Sequence, residues 1–464
     1  MDKRVEKFLN SMKGKKIAFC GIGRSNLPLV SLFTKYGASV LVCDRKEKSA
    51  FSSDVLESVE KTGAHLKFGE DYLENLDIDI LFRTPGMYFN LPVLQDFIKK
   101  GVVVTSEMEV FFDICPCKIY AITGTDGKTT TTTIVAKTLE KAGKKVFLGG
   151  NIGTPLLPQI ENITENDVAV VELSSFQLIS MRKSPDVAAV TNIFEDHMNV
   201  HKDMAEYIGA KINILAHQNA FSKAVLNFDN EETRKLSHFV RGKLVYFSRK
   251  EKLESGAFLS DDGYLCYKEN GKEEKIVHKD EIKIPGLHNV ENYLTAIAIL
   301  HGDVDNECFK SVANEFGGVE HRIEFVRELE GVRYYNDSIA TSPASVTAGL
   351  KAFGKKVIII AGGSDKQLDY TTLSGAINKY VKVLILLGET AEKIKKAVVE
   401  DETYNEKEIK IIDTNTLEEA VAVARENAVS GDVVSLSPAS ASFDKYKDFE
   451  ERGRHFKQVV KDLK

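Results

Sequence analysis

The chain has 464 residues, which is more than a single hydrophobic core supports and predicts two or three domains. Hydrophobic residues make up 43% and charged residues 28%, a composition typical of a soluble globular protein that excludes disordered and fibrous classes. The formal net charge of −6 offers no positive field to nucleic acid, and no apolar run is long enough to span a bilayer. We therefore expect a cytoplasmic protein that does not bind nucleic acid and does not insert into a membrane.

Apolar runs that favour strands alternate with charged, helix-like stretches, a pattern typical of parallel sheets covered by helices on both faces. The first set contains KIAFC, SVLVCD, DILFRT and VVVTS. The second begins at KIYAIT and includes a hairpin-like segment, SDDGYLCYKENGKEEKIV, and the third begins at VRYYNDS. We predict an α/β protein of three domains: Rossmann-like over 1–114, central P-loop ATPase-like with a mostly parallel sheet over 115–318, and Rossmann-like over 319–464.

The first glycine loop follows the strand KIAFC and reads Gly21-Ile-Gly23-Arg-Ser-Asn26. It fits a dinucleotide-binding fingerprint except at its third glycine, where the chain has Asn26. The backbone N–H groups of such a loop favour a pyrophosphate, and Asp44, at the end of the next strand, is placed to bind a ribose. The sequence predicts a nucleotide ligand here, with a dehydrogenase or a plain strand-to-helix turn as the alternatives.

The second glycine loop, Gly124-Thr-Asp-Gly127-Lys128-Thr129, follows KIYAIT and opens the helix TTTTIVAKTLEKAG, which is the context that a P-loop requires. Backbone N–H groups and the helix dipole attract phosphates, Lys128 adds a positive charge, and the Thr129 hydroxyl can bind Mg²⁺. The full pattern has a glycine where this chain has Ile122. We expect a shortened loop that binds ATP or GTP.

Two further side chains follow strands of the same set. Glu172 ends VAVVE, where open α/β sheets place ligand-binding groups, and its carboxylate can hold Mg²⁺. His197 follows VAAVT, and beside Glu172 and the phosphate loop we favour a metal ligand over a structural histidine. Lys211, judged from its neighbours alone, has the character of a solvated helix lysine.

The six cysteines are scattered, several within strand-like runs, and this favours buried free thiols over disulfides. Cys115-Pro-Cys117 is the only close pair in the sequence. A zinc site is disfavoured because a second pair at ligand spacing is missing.

Several motifs together resemble the Mur ligase family, the ATP-dependent amide-bond-forming ligases of bacterial cell-wall synthesis. They are GTDGKTT, GGNIG, ELSSFQL, NIFEDHM, a YxxxK at Tyr207 to Lys211, PGLHNVEN, EHRIE and NDSIAT. Their order and spacing are similar to the family's over nearly the whole chain. The RTPG loop (83–86) and the ending SPASASFDKYKDFEERGRHF look most like the members that add D-glutamate to UDP-N-acetylmuramoyl-L-alanine.

The resemblance implies the following sites. The ATP-binding residues are Gly124, Thr125, Asp126, Gly127, Lys128, Thr129, Thr130, Asn289, Asn292, Arg322 and Asp337. The UDP-substrate residues are Arg24, Ser25, Asp44, Arg45, Thr84, Pro85, Gly86, Asn151, Ser174 and Gln177. The D-glutamate residues are Thr341, Lys366, Ser442 and Phe449. The catalytic residues are Lys128, His197, Lys211 and Arg322.

The resemblance also implies two Mg²⁺ ions, bound by Thr129, Glu172, His197 and Lys211, with Lys211 carbamylated. A carbamate turns the lysine from a cation into a carboxylate-like group. We expect a monomer.

One position departs from the family pattern. Ile339 stands in NDSIAT where D-glutamate-adding members often carry a lysine, so a cationic contact near the acceptor is absent or supplied elsewhere. The alternatives are another Mur-type or folylpolyglutamate-type ligase with a different acceptor and, from a different class, a regulatory P-loop NTPase. A DNPR-like motif, expected of a diaminopimelate-adding member, is not found, and the SPASASF ending disfavours the folate enzyme.

Overall fold

The computed structural model describes residues 1–23, 25–198 and 200–464. The chain forms two compact units, residues 1–279 with 291–312 and residues 280–290 with 313–464. The first unit contains a five-stranded and a nine-stranded sheet, and the second contains a six-stranded sheet. The predicted α/β class with mostly parallel sheets is confirmed, whereas domain boundaries at 114 and 318 stay a prediction.

The five-stranded sheet is parallel throughout and has the order β3-β2-β1-β4-β5. Its strands are Lys16–Cys20 (β1), Ser39–Asp44 (β2), His65–Phe68 (β3), Ile80–Phe82 (β4) and Val103–Thr105 (β5). Its helices are Lys3–Asn10 (α1), Leu27–Lys35 (α2), Ser53–Glu60 (α3), Pro92–Lys99 (α4) and Glu107–Ile114 (α5). The central strand β1 buries four consecutive residues, as a strand covered on both faces must.

The nine-stranded sheet has the order β14-β13-β12-β11-β10-β9-β6-β8-β7. Its strands are Lys118–Thr123 (β6), Val146–Gly150 (β7), Val168–Glu172 (β8), Val187–Val190 (β9), Lys223–Asn227 (β10), Lys243–Ser248 (β11), Gly256–Leu259 (β12), Tyr264–Glu269 (β13) and Lys272–His278 (β14). Strands β6 to β12 pair in parallel, whereas β13 runs antiparallel to β12 and β14. The predicted hairpin is therefore confirmed as β13 and β14.

The α-helices of this part of the chain include the two that carry the candidate site, Lys128–Lys141 (α6) and Met204–Ala216 (α8). The others are Ser175–Leu178 (α7), Glu231–Lys235 (α9), Leu287–Leu300 (α10) and Asn306–Glu315 (α11). Short 3₁₀ turns occur at Lys48–Ala50, Leu157–Asn162, Leu236–Phe239 and Lys279–Glu281.

The six-stranded sheet has the order β15-β16-β20-β17-β18-β19 and is parallel except for the edge strand β15. Its strands are Glu324–Leu329 (β15), Val332–Asn336 (β16), Val357–Ala361 (β17), Val381–Leu386 (β18), Lys410–Asp413 (β19) and Val433–Leu436 (β20). Its helices are Pro343–Phe353 (α12), Thr371–Tyr380 (α13), Ala391–Val399 (α14), Leu417–Glu426 (α15) and Phe449–Asp462 (α16).

All six cysteines are free thiols, and all except Cys308 are buried, as predicted. The sulfur atoms of Cys115 and Cys117 lie 3.5 Å apart. Within the three described ranges, no helix has the length and apolar character needed to cross a membrane.

A buried carboxylate ties helix α5 to the segment after β7. Glu107 is 5% exposed, and its Oε1 accepts hydrogen bonds from the N–H groups of Leu156 and Leu157, both at 2.8 Å. Burial raises the pKa of Glu107 from 4.5 to about 7, although the two N–H groups oppose the shift. The anchor therefore titrates near neutral pH.

The substitution Glu107→Gln is expected to change how stability depends on pH. Between pH 4.5 and about 7 the folded chain binds more protons at Glu107 than the unfolded chain does, so this group lowers stability as pH rises through that window. Glutamine keeps an acceptor oxygen for both N–H groups but does not titrate. Relative to the parent protein, the variant should gain up to about 3 kcal/mol of unfolding free energy across the window.

Urea denaturation followed by circular dichroism on both sides of the window measures this gain. The exposed Glu140, at the end of α6, provides the matched control Glu140→Gln, which should follow the parent protein at every pH. A Glu107→Gln variant whose stability runs parallel to the parent's would contradict the assignment.

Candidate active site

The phosphate loop lies between β6 and α6 and contains two glycines that no other residue can replace without movement. A Cβ atom at Gly124 would lie 1.9 Å from the hydroxyl oxygen of Thr191. Gly127 has a φ of 78°, and a Cβ atom there would lie 2.4 Å from the side-chain oxygen of Asn292. Glycine is required at both positions because the backbone approaches its neighbours closely.

Ile122, which stands where the longer loop pattern has a glycine, is fully buried within β6. Its backbone is in register with Glu172 on β8 and Ala189 on β9. The loop can begin only where the strand ends, at Gly124. This explains why it is shorter than the usual pattern.

Asn192 holds the first half of the loop. Its side-chain oxygen accepts hydrogen bonds from the N–H groups of Thr125 at 3.2 Å and Asp126 at 2.8 Å. Lys128 donates from Nζ to the Thr125 carbonyl at 2.7 Å. The second half of the loop opens α6, whose first turn contains Thr129 and Thr130. The N–H groups of a first helical turn have no intrahelical acceptors, and this makes the turn suited to phosphate.

Glu172 ends β8 and is 1% exposed. Its Oε1 accepts a hydrogen bond from the Asn151 side chain at 2.7 Å, and the Asn151 N–H donates to the Glu172 carbonyl at 2.9 Å. The other carboxylate oxygen, Oε2, is buried and has no hydrogen-bond partner among the described residues. A buried, unpaired carboxylate oxygen is costly and suits a cation.

Lys211 is buried, contrary to the solvated helix lysine that its neighbours in the sequence indicated. It is 1% exposed, and its Nζ donates to the Gly124 carbonyl at 2.7 Å. Burial, reinforced by the positive charge of Lys128, lowers its pKa to about 7, although Asp196 and Glu172 oppose the shift. Lys211 is buried because β6 and the loop after it cover the face of α8 from which the side chain projects.

Tyr207 lies one turn before Lys211 on α8, so the two side chains share a face of the helix. The Lys211 ammonium nitrogen is 4.6 Å from the Tyr207 ring centroid. The Tyr207 hydroxyl is 3.0 Å from the Thr125 hydroxyl, which also contacts the Phe194 carbonyl. Helix α8 therefore supports the phosphate loop at two points.

His197 is placed at a turn with a φ of 58°, and its side chain is 48% exposed. Its Nε2 lies 3.4 Å from an oxygen of Asp196, and its ring is 5.1 Å from that of Phe176. The structure thus gives the predicted metal ligand an accessible imidazole.

A second histidine, which the sequence reasoning missed, is buried nearby. The Nε2 of His201 is 2.9 Å from the Ser175 hydroxyl, its Nδ1 is 3.3 Å from Glu206, and its ring stacks on Phe176. The Tyr88 hydroxyl donates to the same Glu206 side chain. The only signal for this network was the second histidine four residues after the first in HMNVH.

A cavity of about 410 Å³ opens beside the first glycine loop. Four of the predicted UDP-substrate residues line it, and they are Asp44, Arg45, Thr84 and Gly86. Asp44 accepts hydrogen bonds from the N–H groups of Ile22 at 3.0 Å and Lys46 at 2.9 Å. Ser25 and Pro85 are not among the lining residues, and Arg24 lies outside the described residues.

Asn26, at the third fingerprint position, is buried and has a structural contact. Its side-chain nitrogen donates to the Cys20 carbonyl at 2.9 Å and so holds the loop against the end of β1.

Arg83 begins the RTPG motif, is 1% exposed and anchors the loop of that motif. It donates to the carbonyls of Met87 and Phe176, both at 3.1 Å, and to the Ser180 hydroxyl at 2.6 Å.

The remaining two predicted UDP-substrate residues, Ser174 and Gln177, form a capping box at the start of α7. The Ser174 hydroxyl accepts from the Gln177 N–H, and the Gln177 side-chain oxygen accepts from the Ser174 N–H at 3.0 Å. Both side chains are therefore used in starting this short helix.

The second unit carries three of the predicted ATP-binding residues. Asp337 is fully buried and accepts a hydrogen bond from the Ile323 N–H at 3.1 Å; burial raises its pKa to about 7, although this bond and Arg322 oppose the shift. Arg322 itself is exposed.

Asn289 donates from its side chain to the Pro285 carbonyl at 2.5 Å. Asn292 belongs to the first unit, where it accepts from the Thr131 hydroxyl at 3.2 Å.

The four predicted D-glutamate residues also lie in the second unit. Lys366 is exposed, with its Nζ 5.5 Å from the ring centroid of Phe443. Ser442 is buried, whereas Thr341 and Phe449 are half-buried. They are positioned by the loops after β17, β20 and β16 and by the first residue of α16.

Two protein-family models match this chain. One is the Mur ligase middle domain, over residues 122–300, and the other is the Mur ligase, glutamate ligase domain, over residues 321–440. The chain belongs to the Mur ligase family. The relative from Acetivibrio thermocellus is 49% identical and that from Clostridium kluyveri 47% identical, each over 100% of both chains. Both relatives are named UDP-N-acetylmuramoylalanine–D-glutamate ligase.

Solved structures of more distant relatives share the fold of this Mur ligase. The UDP-N-acetylmuramate-alanine ligase of Thermotoga maritima gives a TM-score of 0.58 at 20% identity. The pseudomurein peptide ligase type C of Methanothermus fervidus gives 0.51 at 19% identity. Both comparisons cover 97% of this chain and 100% of the other.

The substitution Gly127→Ala in this Mur ligase is expected to weaken ATP binding at least about tenfold, or about 1.4 kcal/mol. The added Cβ would meet Asn292 and displace the loop. Calorimetric titration with a non-hydrolysable ATP analogue measures the loss.

Gly143, just beyond the end of α6, provides the matched control. Its φ is 77°, as strained for alanine as Gly127, but an added Cβ would have no neighbour within 4 Å in the part of the chain that the structure describes. Gly143→Ala should lower stability while leaving ATP affinity unchanged. Equal affinity for both variants and the parent would show that the close approach to Asn292 is not needed.

Proposed function

We propose that the chain is the ATP-dependent ligase that joins D-glutamate to UDP-N-acetylmuramoyl-L-alanine in peptidoglycan precursor synthesis. The observation that carries the proposal is full-length identity of 43–49% to relatives named for this reaction. Identity extends over the whole of both chains, so it includes the regions assigned to the two substrates as well as the nucleotide loop. The phosphate loop and the buried Glu172 and Lys211 support the same activity.

The reaction joins a carboxylate to an amine, which is unfavourable in water because a carboxylate is a poor electrophile. A carboxylate oxygen of the alanyl group attacks the γ-phosphorus of ATP, a P–O bond forms, and ADP leaves. The amine of D-glutamate then attacks the acyl carbon of the acyl phosphate, the C–N bond forms, and inorganic phosphate leaves as the amine loses a proton. The protein contributes by positioning and by neutralising charge.

Within this scheme the N–H groups at the start of α6 and the Lys128 ammonium bind the ATP phosphates. Arg322, an exposed cation, is a further residue that the family resemblance assigns to ATP. The cavity lined by Asp44, Arg45 and Thr84 receives the uridine diphosphate end of the first substrate. Lys366 supplies a cation for the dianionic D-glutamate, which matters more in this chain because residue 339 is isoleucine.

The residues that would hold Mg²⁺ are Glu172, Thr129, His197 and a carbamylated Lys211. The fit rests on the buried Oε2 of Glu172, for which the described part of the chain offers no hydrogen-bond partner, and on the oxygen-rich chemistry of this set. When bound, Mg²⁺ neutralises charge on the transferring phosphate. Asn151 orients the Glu172 carboxylate by donating to its other oxygen at 2.7 Å.

The environment of Lys211 supports carbamylation. A pKa of about 7 leaves a large fraction of the amine unprotonated at neutral pH, and only the neutral amine reacts with CO₂. The nitrogen attacks the carbon of CO₂, a C–N bond forms, and one proton passes to solvent. The resulting carbamate is anionic, so it removes the repulsion between Lys211 and Lys128.

Release of ADP and phosphate is expected to require both UDP-N-acetylmuramoyl-L-alanine and D-glutamate. A coupled spectrophotometric assay with each substrate omitted in turn measures this dependence. L-glutamate and meso-diaminopimelate serve as matched acceptor controls and should not support turnover. Hydrolysis that is indifferent to both substrates would instead indicate a regulatory NTPase.

The substitution Lys211→Ala is expected to lower kcat by at least about a hundredfold, because a charged group next to the phosphates is lost. If the working form is a carbamate, acetate or propionate should restore part of the activity by occupying the vacated space.

Short amines distinguish the two forms of the lysine. Rescue by ethylamine, with no effect of acetate, would show that the working form is the cation. Lys128→Ala is the matched control, since its role needs a positive charge and short carboxylic acids should not rescue it.

A further inference from the structure

The second unit presents three loops at one edge of its parallel sheet. Residues 337–341 follow β16, residues 437–442 follow β20, and residues 362–366 follow β17. These strands are adjacent, in the order β16-β20-β17, and the carboxyl ends of adjacent parallel strands meet at one edge. Thr341, Ser442 and Lys366, the proposed contacts of D-glutamate, lie on these three loops.

One buried cation binds two of the loops directly. Arg452 projects from α16 and is 4% exposed. Its Nε donates to the Ser338 hydroxyl at 3.0 Å, and Nη2 donates to the carbonyls of Ser338 at 2.9 Å and Ser440 at 3.1 Å. Nη1 donates to the Ala441 carbonyl at 2.9 Å. The guanidinium therefore spans the loop after β16 and the loop after β20.

The same contacts reach the third loop and the start of α16. The Ala441 carbonyl, which accepts from Arg452, also accepts from the Ser364 N–H at 3.0 Å. The Ser338 hydroxyl donates onward to the Phe449 carbonyl at 2.7 Å. A Cβ atom at Gly363 would lie 3.0 Å from Nη1 of Arg452, so the glycine loop packs directly on the guanidinium.

The acceptors of Arg452 are uncharged. Each is a backbone carbonyl or a hydroxyl, so the guanidinium holds the loops by their oxygen atoms. Burial lowers the Arg452 pKa to about 10, which keeps the group cationic at neutral pH. A planar fork of donors can bind several oxygens at once, whereas a lysine ammonium concentrates its charge at one point.

We propose that Arg452 is a positioning residue for the amino-acid acceptor: by joining the loops after β16, β20 and β17, it fixes the spacing of the groups that bind D-glutamate. The inference rests on the proposed function, because the occupant of these loops is the acceptor of that reaction. Arg452 acts through Ser338, Ser440 and Ala441 and does not itself contact the acceptor.

The test compares Arg452→Lys and Arg452→Ala with the matched control Arg454→Ala in the full-length enzyme. Arg454 lies on the same helix but is exposed and paired with Glu450 at 3.6 Å. Arg452→Lys should raise the KM for D-glutamate about tenfold or more, because misplacement of a binding group by a fraction of an ångström has effects of this size. The KM values for ATP and UDP-N-acetylmuramoyl-L-alanine should stay within a factor of about two, and Arg454→Ala should match the parent throughout.

Ser338→Ala keeps the proposal testable if Arg452→Ala fails to fold. It removes one acceptor of Arg452 and should raise the same KM in the same direction by a smaller factor. Thermal unfolding of every variant separates stability from binding. An unchanged KM for D-glutamate, or a uniform fall in activity that follows stability, would overturn the positioning role. A parent protein that shows no D-glutamate-dependent ADP release would instead reject the proposed function.

Discussion

A buried amine beneath the phosphate loop is the constraint on which the rest of the active site depends. The Nζ of Lys211 donates to the Gly124 carbonyl, and the neighbouring Tyr207 on the same face of α8 contacts Thr125. Enclosing a cation in this way costs free energy, and loss of the proton reduces the cost. Burial therefore lowers the pKa of Lys211 to about 7, well below that of an ordinary lysine.

The position of that amine also sets what surrounds it. Gly124 cannot carry a side chain because Thr191 lies against it, and its carbonyl accepts the hydrogen bond from Lys211. Glu172 lies one strand away on β8, and one of its carboxylate oxygens has no partner within the ranges that the structure describes. The site thus combines a buried amine of lowered pKa, a buried carboxylate and the electropositive start of α6. These local features suit cations and phosphates, although the chain as a whole carries a net charge of −6.

The sequence predicted the parts of the structure that follow from local pattern. Long apolar runs such as VAVVE and KIYAIT form buried interior strands, as predicted. The two glycine loops lie where a strand meets a helix. Strands β3, β12 and β15 were missed; β3 and β15 lie at sheet edges, where short, partly exposed segments lack a continuous apolar signal. Burial of Lys211 was also missed, because it results from packing against a loop distant in sequence.

The buried charged residues were the least predictable from the sequence, and one physical cause explains why their burial was not predicted. Arg83, Glu107 and Arg452 bind mainly backbone carbonyl or N–H groups of other segments. Backbone groups are the same in every residue, so no motif records such a partner. By contrast, Asp44 and Glu172 could be found, since their position at the ends of parallel strands is itself informative.

Three of the four acceptors of Arg452 are carbonyl oxygens of the main chain. Substitutions in the acceptor loops therefore leave most of this anchor in place, whatever side chain they introduce. Ile339 illustrates the separation: its N–H donates to the His321 carbonyl at 3.1 Å, a contact that any residue except proline could make. The side chains of these loops can therefore change without loss of the main-chain contacts that hold the loops together.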